Sequence, residues 1–472
     1  MLLDKTIAEL SAKLRSKEIS AVDLVEEAYN TITKHQKEIN SFITLRDKSV
    51  VLKEAETSDH KRHNDVSPLY GIPFVLKDSY VTKGIRTTAA SNVLSDYLPQ
   101  YSSTVYQKLL DAGALLIGKN NMDAWGHGGT NENTDFKPVK NPWDVTRVAG
   151  GSGGGTAASI SARMATFGIG EDTGGSIRNP AAWTNTTGLK VSYGRVSRYG
   201  CISYASSFDT VGPAAKTVED CAYVLQEIAG VDSKDATSSP SAVPNYSKDL
   251  TKSVKGMTVG IPEDFYGEGL DSQIHKAIDE AVEVYGSLGA VIKKVSFSLL
   301  DYAIPVYYLI GPSETSSNLA RYDGLRYGYG RDKFTDETCR RIMIGTYGLS
   351  SGYYDAYYKK AQQVRTLFIK EYSEMLSKCD VLLAPVTPYA PTKIGELVSD
   401  PLQNILLDIY TVTTNPVGIP ALALPCGFDT NKLPIGMQIM GPMLSEDVLL
   451  RIGHAYQMET NWHKIKPPIL DK

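Results

Sequence analysis

Apolar residues recur along this chain at two alternating periods. From Ser20 the segment SAVDLVEEAYNTITKH sets Leu24, Val25, Ala28 and Ile32 on one face at helical spacing, behind a Ser20/Asp23 pair suited to a capping box. That spacing predicts a surface helix docked through its apolar face. TVYQKLLDAG reads as another helix, stopped by Gly113, and the ALLIG that follows is a short apolar run of the kind that enters a parallel sheet. The alternation returns in the second half. MTVGIPED reads as a strand, SQIHKAIDEAVEVYGSLG places Ile274, Ala277, Ile278, Ala281, Val282, Tyr285 and Leu288 on one helix face, and AVIKKVSF returns to strand. DVLLAP, PALALP and IGMQIMG read as further strands, with a last helix around DVLLRIGHAYQM. Strands alternating with helices from end to end predict an α/β fold, a mixed central β-sheet with helices on both faces.

The polar, Ser/Pro-rich stretch 231–249 is the one shift in composition, and the rhythm resumes unchanged after it. It reads as a surface excursion within one domain spanning 1–472, with N-terminal helices in 1–45 docked on the rest. At 472 residues, 42% hydrophobic and 22% charged, the chain can bury a sizeable core. Lys and Arg number 49 against 53 Asp and Glu, a net charge of −4, so no global basic field advertises nucleic acid. Any RNA contact is local or made by a partner. Five scattered cysteines without a C-x-x-C pair fit reduced thiols in the cytoplasm. The first residues mix charge with apolar side chains too early for a signal peptide, and no apolar run approaches the roughly 20 residues of a membrane helix.

The densest anomaly is GGSGGGT at 150–156, followed by EDTGGSIRNP. Five glycines in the six positions 150–155 mean that something approaches this backbone closely, and converging amides can bind an anion or a developing oxyanion. Helix TAASISARM begins just after, adding its N-terminal dipole. A nucleotide reading fits poorly. No lysine follows the glycine run, the near miss GALLIGKN has Asn120 where a hydroxyl is needed and a strand-like interior, and Thr156 stands where a dinucleotide fingerprint needs its third glycine. No His/Cys/Asp/Glu group has metal-ligand spacing beside these loops.

Each glycine run contains a serine, Ser152 and Ser176, and a serine nucleophile needs a base. His127 in WGHGG is the one histidine near them in sequence; His35, His60, His63 and His275 fall in charged stretches expected to be exposed. The other candidate base is Lys77 in GIPFVLKDSY. At the end of a buried strand a lysine is desolvated, which disfavours its charged form and suits it to accept a proton. The residues alone leave both bases open.

GIPFVLKDS, AGGSGGGTAA and GEDTGGSIRNPAA, in that order, resemble the amidase signature family. The resemblance implies a Lys/Ser/Ser triad with Ser176 as nucleophile, Ser152 as bridging serine after a cis Gly151–Ser152 peptide, and Lys77 as base. It implies an oxyanion hole made by the amides of Thr173, Gly174 and Gly175 together with Ser176 itself, and release of acid and ammonia from an amide. GLKVSYGRVSRYG, SNLARYDGLRYG, RRIMIGTYGLSSGYYDAYYKKAQQVRT and DIYTVTTNPVGIPALALPCGF resemble, within that family, the A subunits of tRNA-dependent amidotransferases, over almost the whole chain.

That second resemblance implies a glutaminase with no cofactor or metal of its own. Its ammonia passes to a B subunit, where ATP and Mg²⁺ activate the glutamate of Glu-tRNA(Gln), or the aspartate of Asp-tRNA(Asn); a small C subunit wraps the pair. It further implies Asp408 for glutamine's ammonium, Arg341 for its carboxylate and Tyr307 as a wall, with Gly129 and Thr130 near the pocket. Three departures are visible: Gly153 stands where many members have a second serine, WGHGGTNEN differs from the commoner Phe-Ala-Met-Gly-Ser-Ser-Thr-Glu-Asn and so puts Gly129 and Thr130 near the expected pocket, and the segment before CRRIMIG is shorter by roughly a dozen residues, a loop-scale change. A stand-alone amidase for neutral amides would share the triad, with an apolar pocket in place of the Arg341/Asp408 pair. A structural or nucleotide-binding partner would not need Ser176 at all.

Overall fold

The computed structural model describes residues 1–63, 66–326, 328–398 and 401–471. Its strands are β1 (Phe42–Leu45), β2 (Pro73–Lys77), β3 (Leu115–Asn120), β4 (Lys140–Asn141), β5 (Asp144–Val148), β6 (Phe167–Asp172), β7 (Thr187–Lys190), β8 (Thr210–Ala215), β9 (Thr258–Pro262), β10 (Val291–Val295), β11 (Val381–Pro385), β12 (Ala421–Phe428) and β13 (Pro434–Met440). Apart from the β4–β5 hairpin they form one eleven-stranded sheet, ordered β1-β3-β2-β6-β8-β7-β12-β13-β11-β9-β10. It is mixed. β2 runs parallel to β3 and β6, while β8, β7, β12 and β13 pair antiparallel through the middle.

Central strands such as β2, β3 and β6 are buried along their whole length, which is why they read as unbroken apolar runs. β10, the AVIKKVSF strand, lies at the sheet edge, mostly exposed, with Lys293 and Lys294 guarding it against further pairing. Alternate residues of β11 feed different cores, Val381 and Leu383 one and Leu382 and Ala384 the other, so the sheet has packed layers on both faces. The first layer reaches from Leu3 to Ile469; the second is aromatic, with Tyr204, Phe208, Phe297, Tyr307 and Tyr372.

The predicted first helix is Ala21–Ile39, closed by a reciprocal Ser20/Asp23 capping box. One expectation fails on it. His35 is buried, because it follows Ala28, Thr31 and Ile32 on the core-facing stripe of a 19-residue helix, and the charged neighbours that suggested exposure sit on the other side. Stretch 231–249 forms turns tied to the body through Asp232, whose carboxylate accepts from Thr104 and Ser197. Lys119 of the nucleotide-loop near miss is a fully buried strand residue paired with Asp78. No described helix is long and apolar enough to cross a membrane.

Candidate functional site

β2 and β6 are neighbouring parallel strands, so their C-terminal ends deliver Lys77 and Glu171 to the same edge of the sheet. Lys77 is fully buried. Its Nζ donates to Ser152 Oγ at 2.7 Å, to Glu171 Oε2 at 3.0 Å and to the Glu171 carbonyl at 3.2 Å. Ser152 follows a cis Gly151–Ser152 peptide, and the helix Gly154–Ser161 starts two residues later. Glycine is required here by close approach: a Cβ on Gly151 would collide with Asp123 and the Thr130 amide, one on Gly153 with the Ser176 carbonyl, and one on Gly155 with the Asn121 backbone. Gly153 N–H donates to the Ser176 carbonyl at 3.1 Å, which locks the two glycine runs together.

Ser176 sits between β6 and the helix Arg178–Thr184. Asp172 organises this turn, accepting from the amides of Gly175 at 2.9 Å and Ile177 at 3.1 Å and from the Arg178 guanidinium at 3.0 and 3.1 Å. Burial would push this carboxyl up, but the Arg178 charge and hydrogen bonds overcome that and hold it well below the usual carboxylate range. Arg178 also reaches Gln438, Asn415 and the Thr411 carbonyl, fastening the loop to β13 and the segment before β12. One implied oxyanion donor is thereby redirected, since Gly175 N–H already points to Asp172 Oδ1. Gly174 has no room for a Cβ beneath the Tyr307 ring, and Gly175 has a φ of +134°, a conformation that glycine tolerates.

Tyr307 therefore lies directly on the Ser176 loop, stacked on Phe208 and edge-on to Tyr204. Arg341, on the helix Asp336–Leu349, donates to Glu337 at 2.7 Å and to the Tyr204 hydroxyl at 2.5 Å, and its guanidinium lies 5.1 Å from the Tyr308 ring centre. Tyr308 in turn donates to Asp408 Oδ2 at 3.2 Å, and Gly129 borders Asp408, with only 3.4 Å between a Cβ there and Oδ1. Burial pushes the Asp408 carboxyl up to about 7, against the Arg341 charge and the Tyr308 hydrogen bond. Tyr307, Arg341, Asp408 and Gly129 thus gather around one aromatic wall. Thr130 follows Gly129 against Gly151, and with Asp123, His127 and Arg340 it lines a cleft of about 440 Å³. The His127 ring is held by Thr315 and Thr338, 3.2 and 3.3 Å away, and burial pushes it well below the usual histidine value.

Glu171, Tyr308, Tyr204 and Asp209 join the site without having stood out in the sequence. For Glu171 a signal existed, an acid closing an otherwise apolar strand immediately before the second glycine run. For the others nothing local marks them. They meet the site only through the fold.

The family model for amidases matches residues 23–450. The chain belongs to the amidase family. Among its relatives in that family it is 45% identical to the A subunit of glutamyl-tRNA(Gln) amidotransferase from Geobacillus sp. (strain WCH70), over 99% of this chain and 100% of the relative. It is 46% identical to the protein of the same name from Geobacter metallireducens, over 99% and 100%. Among solved amidase-family structures, the A subunit of glutamyl-tRNA(Gln) amidotransferase from Thermotoga maritima aligns with a TM-score of 0.85 at 36% identity, covering 99% of this chain and 98% of that one. The peptide amidase of Stenotrophomonas maltophilia aligns at 0.82 and 26% identity, covering 99% of each.

Proposed function

We propose that this chain is the glutaminase subunit of a tRNA-dependent amidotransferase, acting as one domain through Lys77, Ser152 and Ser176. The observation that carries the reading is the buried 2.7 Å contact between Lys77 Nζ and Ser152 Oγ, on a glycine loop bonded to the carbonyl of Ser176. The full-length likeness to A subunits supports the choice of glutamine. Ser176 Oγ attacks the side-chain amide carbon of glutamine while its proton passes to Ser152, and the proton of Ser152 passes to Lys77. The amides of Thr173, Gly174 and Ser176 receive the oxyanion. Collapse returns the proton to the departing nitrogen, ammonia leaves a γ-glutamyl ester on Ser176, and water releases glutamate. Asp408 meets the substrate's ammonium, Arg341 its carboxylate, and Tyr307 walls the pocket, since burying either charge unpaired is costly.

Ammonia then passes to the B subunit, where ATP and Mg²⁺ activate Glu-tRNA(Gln), while the C subunit wraps the pair in the cytoplasm. The test is the chain assembled with its B and C partners, supplied with Glu-tRNA(Gln), ATP and Mg²⁺. Gln-tRNA(Gln) is expected from glutamine with the native chain, and only from added ammonium with Ser176→Ala. An Asp-tRNA(Asn) arm reads the second conversion. Hydrolysis of uncharged amides with glutamine ignored would instead identify a stand-alone amidase.

A further inference from the structure

A free lysine amine is what the proposed relay requires, and a carboxylate beside an amine favours the ammonium instead. Glu171 is that carboxylate, buried like Lys77 and 3.0 Å from its Nζ. Its other oxygen is 2.8 Å from the Thr173 hydroxyl, which is also 2.7 Å from Asp209 Oδ1. A hydroxyl has one proton, so it can donate to only one of two carboxyl oxygens; for both contacts to be hydrogen bonds, one carboxyl must itself carry a proton. Asp209 is the one so placed. Burial first, and then the charge of Glu171, push it up to about 7, whereas Glu171 has the Lys77 amine 3.0 Å away. Beyond Asp209 the chain of contacts runs through Ser203, 2.8 Å from Oδ2, to the exposed Ser206 hydroxyl at 3.2 Å.

We propose that Glu171, bridged through Thr173 to Asp209, is a positioning residue that sets the pH range in which Lys77 works as a base. For the relay to run, the Lys77 ammonium must first release a proton to solvent, which the Glu171 carboxylate 3.0 Å away opposes, and the freed lone pair then takes the proton that Ser176 passes through Ser152. When the leaving nitrogen takes that proton back, the relay reverses and no proton is gained or lost. The inference rests on the proposed triad and goes beyond it by naming what lies behind the lysine.

Other groups face this pair. Asp123, pushed up to about 7 by burial, faces Lys77; Tyr80 and Cys201, both pushed above their ordinary values, face Glu171, and Arg198 faces Asp209. Asp123→Asn is therefore included as a control for its overlapping titration.

The test reads the nucleophile without a substrate. The full chain is treated with phenylmethylsulfonyl fluoride, Ser176 Oγ displacing fluoride from sulfur, and the labelling rate is followed by intact mass from pH 5 to 10. Glu171→Gln keeps the shape and removes the charge that favours the ammonium, so the acid limb of the profile is expected to move down by about one to two pH units. Asp209→Asn, also isosteric, removes the charge that Asp209 gains above about pH 7 and so should move the limb the same way by less, and it carries the test if Glu171→Gln does not fold. The Glu171→Gln shift should persist on an Asp123→Asn background. A profile unchanged in both variants would make the Glu171 network structural and overturn the proposal, as would a folded Glu171→Gln chain unlabelled at every pH. Absence of labelling in the native chain would remove Ser176 as nucleophile, and the proposal with it. Ammonia release from glutamine, measured in parallel, judges the proposed function separately.

Discussion

Two lysines on adjacent parallel strands share almost every local property, yet they face different surroundings. Lys77 ends β2 and Lys119 lies one residue from the end of β3; both are fully buried, and each has a carboxylate oxygen 3.0 Å away. Around Lys119 the remaining contacts are the Tyr80 carbonyl at 2.7 Å and the Thr87 and Thr82 hydroxyls at 3.0 and 3.4 Å, and its Asp78 partner is further held by the Thr88 amide. That arrangement closes an ion pair inside the sheet. Lys77 instead faces Ser152, a hydroxyl on a glycine-built loop joined to the loop of Ser176. Burial and ion pairing are thus insufficient to mark a base. What distinguishes Lys77 is where its hydroxyl neighbour leads, to the Ser176 loop, whereas the Thr87 hydroxyl beside Lys119 meets only Thr82 and backbone carbonyls.

The comparison breaks most sharply under substitution of the relay. Ser176→Ala and Lys77→Met are each expected to lower ammonia release by about 10⁴-fold, measured on chains shown to be folded by circular dichroism, whereas Lys119→Met should keep the rate per folded molecule within a few-fold. The same Lys119→Met should instead lower the unfolding free energy by about 3–5 kcal/mol, because Asp78 is left buried without its partner; urea unfolding reads it, and an unchanged midpoint would deny Lys119 its structural role.

Smaller effects sharpen the substrate side. Asp408→Asn should raise KM for glutamine by about 10- to 100-fold, the scale of one lost charge-assisted hydrogen bond, and leave KM for an uncharged amide nearly unchanged. Equal losses on both substrates would show that Asp408 does not read the ammonium. Its carboxyl, pushed up to about 7, is neutral below that pH and pairs with an ammonium only as the anion. KM for glutamine should therefore rise by up to about tenfold per pH unit as the pH falls below about 7, with no such trend for an uncharged amide.

The strands and helices were legible because each carries its period openly, and the two serines because glycine at that density has no packing use. Lys77 was legible only as one of two bases until neighbouring motifs fixed the family. What holds the His127 ring, Thr315 and Thr338, lies far along the chain and is visible only in the coordinates. Asp209 was invisible for the same reason: it reaches the site because β8 pairs with β6 and brings it opposite Thr173. His35 misled because charged neighbours in sequence are not neighbours on a helix face.

The central claim is tested most directly by ammonia release from glutamine and from a set of uncharged amides, using the native chain beside Ser176→Ala and Lys119→Met. A preference for glutamine is expected, abolished in Ser176→Ala and retained per folded molecule in Lys119→Met. Release from glutamine by Ser176→Ala at the native rate would contradict it.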